Sequence, residues 1–297
     1  MSKQEVVYLN GNYSPKQETT LSILDRGFLF GDGVYELIPI YNKKIFYIDA
    51  HLERLKSSLQ QINIAPSLLE EVDIIEIINR LIDQNNYDDY FIYIHISRGV
   101  DQKRNHIYPE DYKPTILIMG ENYVPFSRDV IINGKKAILE DDYRWLKSNI
   151  KSTSLLANVL IKNKANDNGA YEALLLRDGF LTEGSASNVF MVKDGIIKTP
   201  RLSNKLLPGI TRKFLVDLIS LHHLEYSECD ISKHELLDAD EIFCSSSTNP
   251  VVPITQVDDK IICESAGSIS LDLYRHCLLY TSQSPRDYAA SRMPSSA

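Results

Sequence analysis

Lys151 is the residue whose type and position could carry the most demanding chemistry in this chain. It follows a polar stretch that ends in Ile150 and comes directly before STSLL, which reads as the start of a helix. Most lysines are solvated surface charges, so one lysine before a helix indicates no function by itself. A lysine amine can nevertheless form a Schiff base with a carbonyl compound when its neighbours favour the neutral amine and hold the partner molecule.

A carboxylate that could serve such a partner lies at the end of a predicted strand in LLRDGFLTEGSASNVF. Glu183 stands there between Thr182 and Gly184, and small hydroxyl residues and Asn188 follow it. A carboxylate at a strand end is most often a solvated turn charge. It can also pair with a cation such as a protonated pyridine nitrogen, which makes the pyridine ring an electron sink.

Two further stretches could bind an anion such as phosphate. In LLPGITR, Gly209 precedes Ile210 and Thr211 at the first turn of a predicted helix, where free backbone N–H groups and the helix dipole favour an anion. In FCSSSTNP, the hydroxyl groups of residues 245–248 follow a predicted strand. Each feature alone is common in proteins. Together with Arg54 on the predicted helix HLERLKSSL, they supply a cation, a helix N-terminus and a hydroxyl cluster, which suit a phosphate dianion.

The composition favours small-molecule chemistry in the cytoplasm. The net charge of −8 argues against binding to nucleic acid, which normally requires a local excess of Lys and Arg. No apolar run approaches the roughly 18–20 residues that span a bilayer, and the first residues lack the apolar core of a secretion signal. The four cysteines form no C-x-x-C pair, so the sequence predicts neither a metal site nor a disulfide framework.

The elements that must position these residues begin with a predicted small domain at residues 1–120. VVYLNGNYSP reads as a hairpin, NKKIFYIDAHLERLKSSLQQI as a strand followed by a helix, and YFIYIHISRG and PTILIMG as strands. In APSLLEEVDIIEIINRLIDQN, Ser67 and Glu70 predict a capping box. The apolar face predicted for that helix consists of Val72, Ile75, Ile78 and Ile82.

Residues 121–134 contain Pro and polar residues and predict an interdomain linker, and residues 135–276 predict a larger, strand-rich domain. Two Asp-Gly pairs indicate hairpins in that domain. Helices are predicted at 152–168, at 209–222 and at 232–238, the last with Ser232 and Glu235 as its capping box. Strands and helices in this mixed order predict the α+β class. Residues 277–297 lose hydrophobic periodicity and predict a disordered or non-native tail.

Five motifs occur in order over residues 27–212: FGDGVYE, HLERL, IKSTSLL, YEALLLRDGFLTEGSASNVF and LLPGITR. Their order and spacing resemble those of the fold type IV pyridoxal-phosphate enzymes, which include D-amino-acid aminotransferases, branched-chain aminotransferases and 4-amino-4-deoxychorismate lyases. The resemblance extends to about residue 275. It implies a small and a large domain with pyridoxal 5'-phosphate between them.

The resemblance also implies roles for individual residues. Lys151 would carry the cofactor as a Schiff base and move the proton at the substrate's α-carbon, and Glu183 would pair with the pyridine nitrogen. Leu207 would support the face of the ring, and Tyr35 would line the substrate side. The phosphate-binding residues that the resemblance implies are Arg54, Ile210, Thr211 and Ser247, with Ser246 as a neighbour behind them.

Substrate choice depends on SRGVDQKRNHIYPEDY, in which Arg104 and His106 follow a predicted strand. Such a loop is usually only solvated and basic. Arg-x-His at this place resembles the carboxylate trap of D-amino-acid aminotransferases, in which the loop of one subunit reaches the active site of the other. The resemblance therefore implies a homodimer that transfers the amino group of D-alanine to 2-oxoglutarate, giving pyruvate and D-glutamate by a ping-pong mechanism.

Three alternatives stay open. A branched-chain L-amino-acid aminotransferase usually has FEG where this chain has FGDGVYE, and it lacks the Arg-x-His loop; EDDYRWLKSNIKS also reads more like the D-specific group. A 4-amino-4-deoxychorismate lyase would use the same lysine and glutamate, and the Arg-x-His loop counts against it. A non-catalytic binding protein of this fold would not be expected to retain both Lys151 and Glu183.

Overall fold

The computed structural model describes residues 4–85, 89–122 and 124–282. The chain divides into two compact units: unit 1 consists of Met1–Val124 and Ile150–Leu155, and unit 2 of Pro125–Asn149 and Leu156–Ala297. Helices and strands are mixed in both units, which confirms the predicted α+β class. No helix within the described ranges is long and apolar enough to cross a membrane.

Unit 1 is an antiparallel sheet with helices packed against it. The strand order is β2-β1-β6-β5-β3-β4, and every neighbouring pair is antiparallel. The core of the unit is rich in isoleucine and leucine from the strands and from α2 and α4. The elements are β1 (Val6–Leu9), β2 (Asn12–Pro15), α1 (Arg26–Phe30), β3 (Gly33–Tyr41), β4 (Lys44–Ile45), α2 (Ile48–Gln61), α3 (Leu68–Glu71), α4 (Ile74–Asn85), β5 (Tyr90–Ser97) and β6 (Thr115–Asn122).

Unit 2 contains a mixed sheet with the strand order β12-β11-β10-β13-β14-β7-β8-β9, and β15 pairs with β14. The pairs β11–β12, β14–β7 and β7–β8 are parallel, and the others are antiparallel. The elements are α5 (Arg128–Asn133), β7 (Lys135–Asp141), α6 (Leu156–Asp167), β8 (Glu172–Arg177), β9 (Phe180–Gly184), β10 (Asn188–Lys193), β11 (Ile196–Pro200), α7 (Ile210–Leu221), β12 (Tyr226–Cys229), α8 (Lys233–Leu237), β13 (Glu241–Ser245), β14 (Val252–Val257), β15 (Lys260–Ile261) and α9 (Ser268–Ser282).

The predicted hairpins form as their turn residues require. The turns at residues 10–11, 178–179 and 194–195 each place two consecutive residues at positive φ, which matches the twist of the flanking antiparallel strands. The capping box of α8 is also confirmed, because Ser232 and Glu235 each accept from the other's backbone N–H. Local chemistry was sufficient in these cases since the interacting groups are neighbours in the sequence.

Two predictions about helix starts were wrong. Among the described residues, the side chain of Ser67 makes no capping hydrogen bond, and the expected single helix is split into α3 and α4, with Asp73 accepting from the N–H of Glu76 at the start of α4. The predicted face included Ile75, which is 38% exposed. The buried face consists of Ile74, Ile77, Ile78, Leu81 and Ile82.

The helix predicted at 152–168 begins only at Leu156, because the residues before it pair with β3. The unit boundaries also differ from the predicted domains. Residues 121–134, the predicted linker, contain the end of β6 and all of α5, and Ile150–Leu155 returns to unit 1. The predicted tail 277–297 begins inside α9, where Cys277 is buried, and residues 283–297 lie outside the described part of the chain.

Candidate active site

Lys151 is held against the edge of β3 by backbone hydrogen bonds. Its carbonyl accepts from the N–H of Tyr35 (2.9 Å), and the next residue, Ser152, forms an antiparallel bridge with Val34. The N–H of Lys151 donates to the hydroxyl of Ser58 on α2 at 3.3 Å. The Lys151 amine lies 4.1 Å from the centre of the Tyr35 ring. Strand pairing thus fixes the lysine backbone in unit 1 and brings its amine beside the predicted substrate-side tyrosine.

Arg54 lies next to this segment on α2 and is bound by a carboxylate that the sequence reasoning missed. Its Nε donates to Oε1 of Glu36 (2.7 Å), and its Nη2 donates to Oε2 (2.8 Å). Burial alone would raise the pKa of Glu36, but the charge and hydrogen bonds of Arg54 and a hydrogen bond with His51 lower it to about 2. Glu36 is therefore ionised, and the phosphate-binding role of Arg54 stays a prediction.

His51 completes this buried cluster. Its Nδ1 lies 2.8 Å from Oε2 of Glu36, and burial lowers the pKa of the ring. An ionised carboxylate can only accept, so the proton of the neutral ring is on Nδ1. The sequence did show Glu36 at the end of FGDGVYE and Arg54 within HLERL. Nothing in their local sequence indicated that the two side chains meet.

Arg104 and His106 both lie in the loop between β5 and β6, and both are exposed. They share a contact with Phe30 of α1: the Arg104 guanidinium lies 5.1 Å from the centre of the Phe30 ring, and the His106 ring centre also lies 5.1 Å from it. Arg104 forms no ion pair within the part of the chain that the structure describes. The two residues therefore lie together at the C-terminal end of α1, and their role as a carboxylate trap stays a prediction.

Glu183 in unit 2 is buried at the end of β9 and accepts hydrogen bonds from three residues of the described part of the chain. Its Oε1 accepts from Nη1 of Arg144 at 2.5 Å, and its Oε2 accepts from Nδ2 of Asn188 (3.3 Å) and from the N–H of Leu207 (3.1 Å). Burial raises the pKa of Glu183 to about 7, although Arg144 and the N–H of Leu207 lower it. This carboxyl is consequently able to gain or lose a proton near neutral pH.

Arg144 was also missed by the sequence reasoning, although it belongs to the quoted stretch EDDYRWLKSNIKS. Its Nε and Nη2 donate to the two oxygens of Asp142 at 2.9 and 3.0 Å. Asp142 accepts in addition from the hydroxyl of Thr182 and forms an ion pair with Arg177. Arg144 therefore connects Glu183 to a buried network whose members come from β7, β8 and β9 or lie beside them.

The start of α7 combines a close backbone approach with a helix N-terminus that has no side-chain cap among the described residues. The first N–H groups of a helix have no acceptor within the helix, and Gly209 at the N-cap has no side chain to supply one. A Cβ at Gly209 would lie 2.0 Å from Oδ1 of Asn188, so only glycine fits there without a shift. Ile210 and Thr211 are buried at this end. The geometry of this helix start suits an anion, and the phosphate-binding roles of Ile210 and Thr211 stay predictions.

The hydroxyl groups after β13 differ in how they are bound. Ser246 is engaged within its own turn, where its hydroxyl bonds with that of Thr248 (2.9 Å) and accepts from the N–H of Asn249 (3.2 Å). Ser247 is half-buried, and the buried hydroxyl of Ser245 has no hydrogen-bond partner among the described residues. Leu207, predicted to support the cofactor ring, is half-buried, and its backbone binds Glu183 and Asn188.

Comparisons with known proteins match most of the chain. The family model for amino-transferase class IV matches residues 33–257. A D-alanine aminotransferase of Listeria monocytogenes serotype 1/2a (strain 10403S) is 36% identical over 91% of this chain and 94% of its own length, and one of Bacillus licheniformis is 39% identical over 88% and 91%. The T.th. branched-chain amino acid aminotransferase, solved with pyridoxamine 5'-phosphate, has a TM-score of 0.84 at 24% identity and covers 95% of both chains.

Proposed function

Because the chain belongs to the class IV aminotransferase family, we propose that it is a pyridoxal-phosphate-dependent transaminase that moves the amino group of a D-amino acid to a 2-oxo acid. D-alanine and 2-oxoglutarate, giving pyruvate and D-glutamate, are the proposed pair. The observation that carries this proposal is the 36–39% identity, over about nine-tenths of the chain, to relatives named D-alanine aminotransferase.

The donor chemistry of the described residues fits pyridoxal phosphate. The Lys151 amine could bind the aldehyde of such a molecule, and the buried Glu183 carboxyl could bind its pyridine nitrogen. The start of α7, which has no side-chain cap among the described residues, could bind its phosphate. When bound, the cofactor supplies an electron-withdrawing ring that stabilises negative charge at the substrate's α-carbon. The residues proposed to hold it are Lys151, Arg54, Glu183, Leu207, Ile210, Thr211 and Ser247, with Ser246 shaping the turn beside Ser247.

The residues of this chain then divide the work. The amine of Lys151 would take the proton from the α-carbon of the amino-group donor in the first half-reaction, and in the second half-reaction it would supply a proton to the α-carbon of the amino acid that forms. Glu183, whose carboxyl is held by Arg144 and Asn188, would keep a pyridine nitrogen protonated, because a carboxylate close to that nitrogen favours the cationic form of the nitrogen. Arg104 and His106 orient the substrate carboxylate, and Tyr35 lines the space beside the Lys151 amine.

We propose further that the enzyme is a homodimer in which the Arg104 loop serves the neighbouring subunit. Support comes from the exposure of Arg104 and His106, which makes their polar groups accessible to another chain. Sedimentation of the active enzyme tests this proposal, and a fully active monomer would contradict it. The cytoplasmic location and the absence of nucleic-acid or membrane partners stay predictions.

The branched-chain aminotransferase is the second candidate. The structural likeness to such enzymes is at 24% identity or lower, so it shows the shared fold and does not choose a substrate. Sequence identity is higher with the D-alanine enzymes. The lyase would need a substrate that loses pyruvate, and no described contact favours it over transamination.

The first experiment measures the visible absorption of the purified holoenzyme before and after D-alanine, with L-alanine and L-leucine as controls. A spectral change with D-alanine alone would support the D-specific half-reaction. A change with L-leucine instead would transfer the assignment to the branched-chain group, and no change with any simple amino acid would favour the lyase.

Replacing Arg104 with Met tests the carboxylate trap. A hydrogen bond to a charged group is worth about 1.5–3 kcal/mol, so the KM for D-alanine should rise about tenfold or more. The absorption of the bound cofactor should be unchanged. The matched control is Lys103→Met, which removes an exposed positive charge from the adjacent loop position. An equal rise in KM for both variants would show that only the net charge of the loop matters.

A further inference from the structure

Arg26, on α1, is a buried arginine that the proposed chemistry does not use. Its side chain is 3% exposed, and its guanidinium faces the loop that carries Arg104 and His106. Nη1 donates to the carbonyl of Asn105 (2.5 Å) and to that of Ile107 (3.5 Å), and Nη2 donates to the carbonyl of His106 (3.3 Å). One guanidinium therefore holds three consecutive carbonyls of the loop.

The charge of Arg26 is compensated by carboxylates on either side. Its Nε donates to Oδ2 of Asp32 at 2.8 Å, and its Nη1 donates to Oδ2 of Asp101, within the same loop, at 3.3 Å. The N–H of Asp101 in turn donates to the carbonyl of Leu24, just before α1. Both ends of the segment 101–107 are thus tied to α1 or to the residues that lead into it.

Asp32 also binds Arg98, which restricts the movement of the Arg26–Asp32 pair, the anchor of the loop. Arg98 is fully buried and donates to both oxygens of Asp32, from Nε at 2.9 Å and from Nη2 at 3.1 Å. Its remaining donors bind the carbonyls of Ile62 and Asn63 after α2. The Arg98 guanidinium lies 3.6 Å from the centre of the Tyr108 ring, so Arg98 also contacts the loop directly after residue 107.

The backbone around this anchor is equally constrained. Asp25 caps α1 and accepts from the hydroxyls of Ser97 and Thr115, which fixes α1 to the ends of β5 and β6. Gly99, at φ +93°, approaches the carbonyl of Lys113 so closely that a Cβ would lie 1.9 Å from its oxygen. The loop therefore leaves and re-enters the sheet at one fixed place, with α1 beside it.

From these contacts we propose that Arg26, held by Asp32, is a positioning residue that fixes the loop 101–107 so that Arg104 and His106 are presented together to the substrate carboxylate. Arg26 itself would not touch the substrate. Its fork suits this task because a guanidinium can donate to several carbonyls at fixed angles, whereas the single ammonium of lysine cannot. The role in substrate binding depends on the proposed function, whereas the fixing of the loop does not.

The test uses the holoenzyme and the variant Arg26→Lys, which keeps the charge and removes the fork. In this variant the loop should adopt its substrate-binding conformation only part of the time. The KM for D-alanine should therefore rise about tenfold, while kcat changes less than about twofold. The control is Arg80→Lys, the same change on α4, where the guanidinium lies over the Tyr13 ring. A kcat that falls as much as KM rises, or a KM that does not change, would overturn the positioning role.

A double-variant background separates positioning from general damage. In Arg104→Met/His106→Ala, the two side chains that the loop presents are gone, so adding Arg26→Lys should raise KM less than about twofold further. An undiminished effect in that background would overturn the proposal. Asp101→Asn, which leaves the Arg26–Asp32 pair intact, should give a smaller increase in KM than Arg26→Lys, and it serves as the test if Arg26→Lys does not fold.

Limited trypsin digestion gives a readout that does not depend on activity. Cleavage after Lys103 or Arg104 should be about tenfold faster in Arg26→Lys than in the wild type or in Arg80→Lys, since it requires the loop to detach. Unchanged cleavage would overturn the anchoring of the loop. A wild-type enzyme that ignores D-alanine, with digestion still controlled by Arg26, would instead overturn the proposed function and leave the anchor supported.

Discussion

The cofactor-free wild type should become less stable as the pH rises from about 4.5 to 7. The variant Glu183→Gln should not show this decrease in stability. Burial raises the pKa of this carboxyl from 4.5 to about 7, so between these values the folded protein holds a proton that the unfolded chain has lost. The contribution of Glu183 to the free energy of unfolding is therefore most favourable below pH 4.5, and it is lost as the pH rises towards 7. At about 1.4 kcal/mol per pH unit, that interval corresponds to about 3 kcal/mol.

The assay is urea unfolding at several pH values, followed by the fluorescence of Trp145. This is the one tryptophan of the chain, and it lies in unit 2 together with Glu183. The free energy of unfolding of the wild type, minus that of Glu183→Gln, should fall by about 3 kcal/mol from pH 4.5 to 7. The exposed Glu264→Gln is the matched control and should run parallel to the wild type.

Parallel curves for the wild type and Glu183→Gln would refute the reasoning, because they would mean that Glu183 titrates at the same pH in the folded and unfolded chain. Restoring pyridoxal phosphate adds a second check. A protonated pyridine nitrogen beside the carboxyl should stabilise its ionised form and flatten the wild-type slope.

Three further substitutions test the buried cluster around Glu36 and two helix starts. Glu36 should give the opposite pH dependence, because Arg54 and His51 lower its pKa to about 2. The free energy of unfolding of the wild type should fall by about 3 kcal/mol as the pH falls from 4.5 towards 2. In circular-dichroism acid titrations, Glu36→Gln should not show this decrease. The variant should also be less stable at pH 7, because Arg54 loses its buried carboxylate, and equal stability of the two proteins at pH 7 would contradict this account. Ser232→Ala should cost about 1 kcal/mol in urea unfolding because its side chain caps α8, whereas Ser67→Ala should cost much less because its side chain makes no cap among the described residues. Similar losses for the two serine variants would show that the observed cap is not what stabilises α8.

The amino-acid sequence by itself determined the features that depend on near neighbours. Asn-Gly and Asp-Gly pairs set the hairpins, because residues that tolerate positive φ are required at those turns. The motif order was sufficient for the family, which the family model and the curated relatives confirm. Lys151 and Glu183 could be selected because each stands inside a motif, although the roles given to them rest on the resemblance and stay predictions.

Only the tertiary structure decided which charges meet. Arg144 and Glu183 lie 39 positions apart, and Arg26 and Asn105 lie 79 positions apart. No local periodicity specifies such pairs, because they depend on where the chain crosses the sheet. The start of α6 shows the same competition. STSLL has helical character, but residues 151–153 pair with β3 instead, since backbone hydrogen bonds to an open strand edge outweigh a weak local preference. That pairing is what fixes the backbone of Lys151 beside Tyr35.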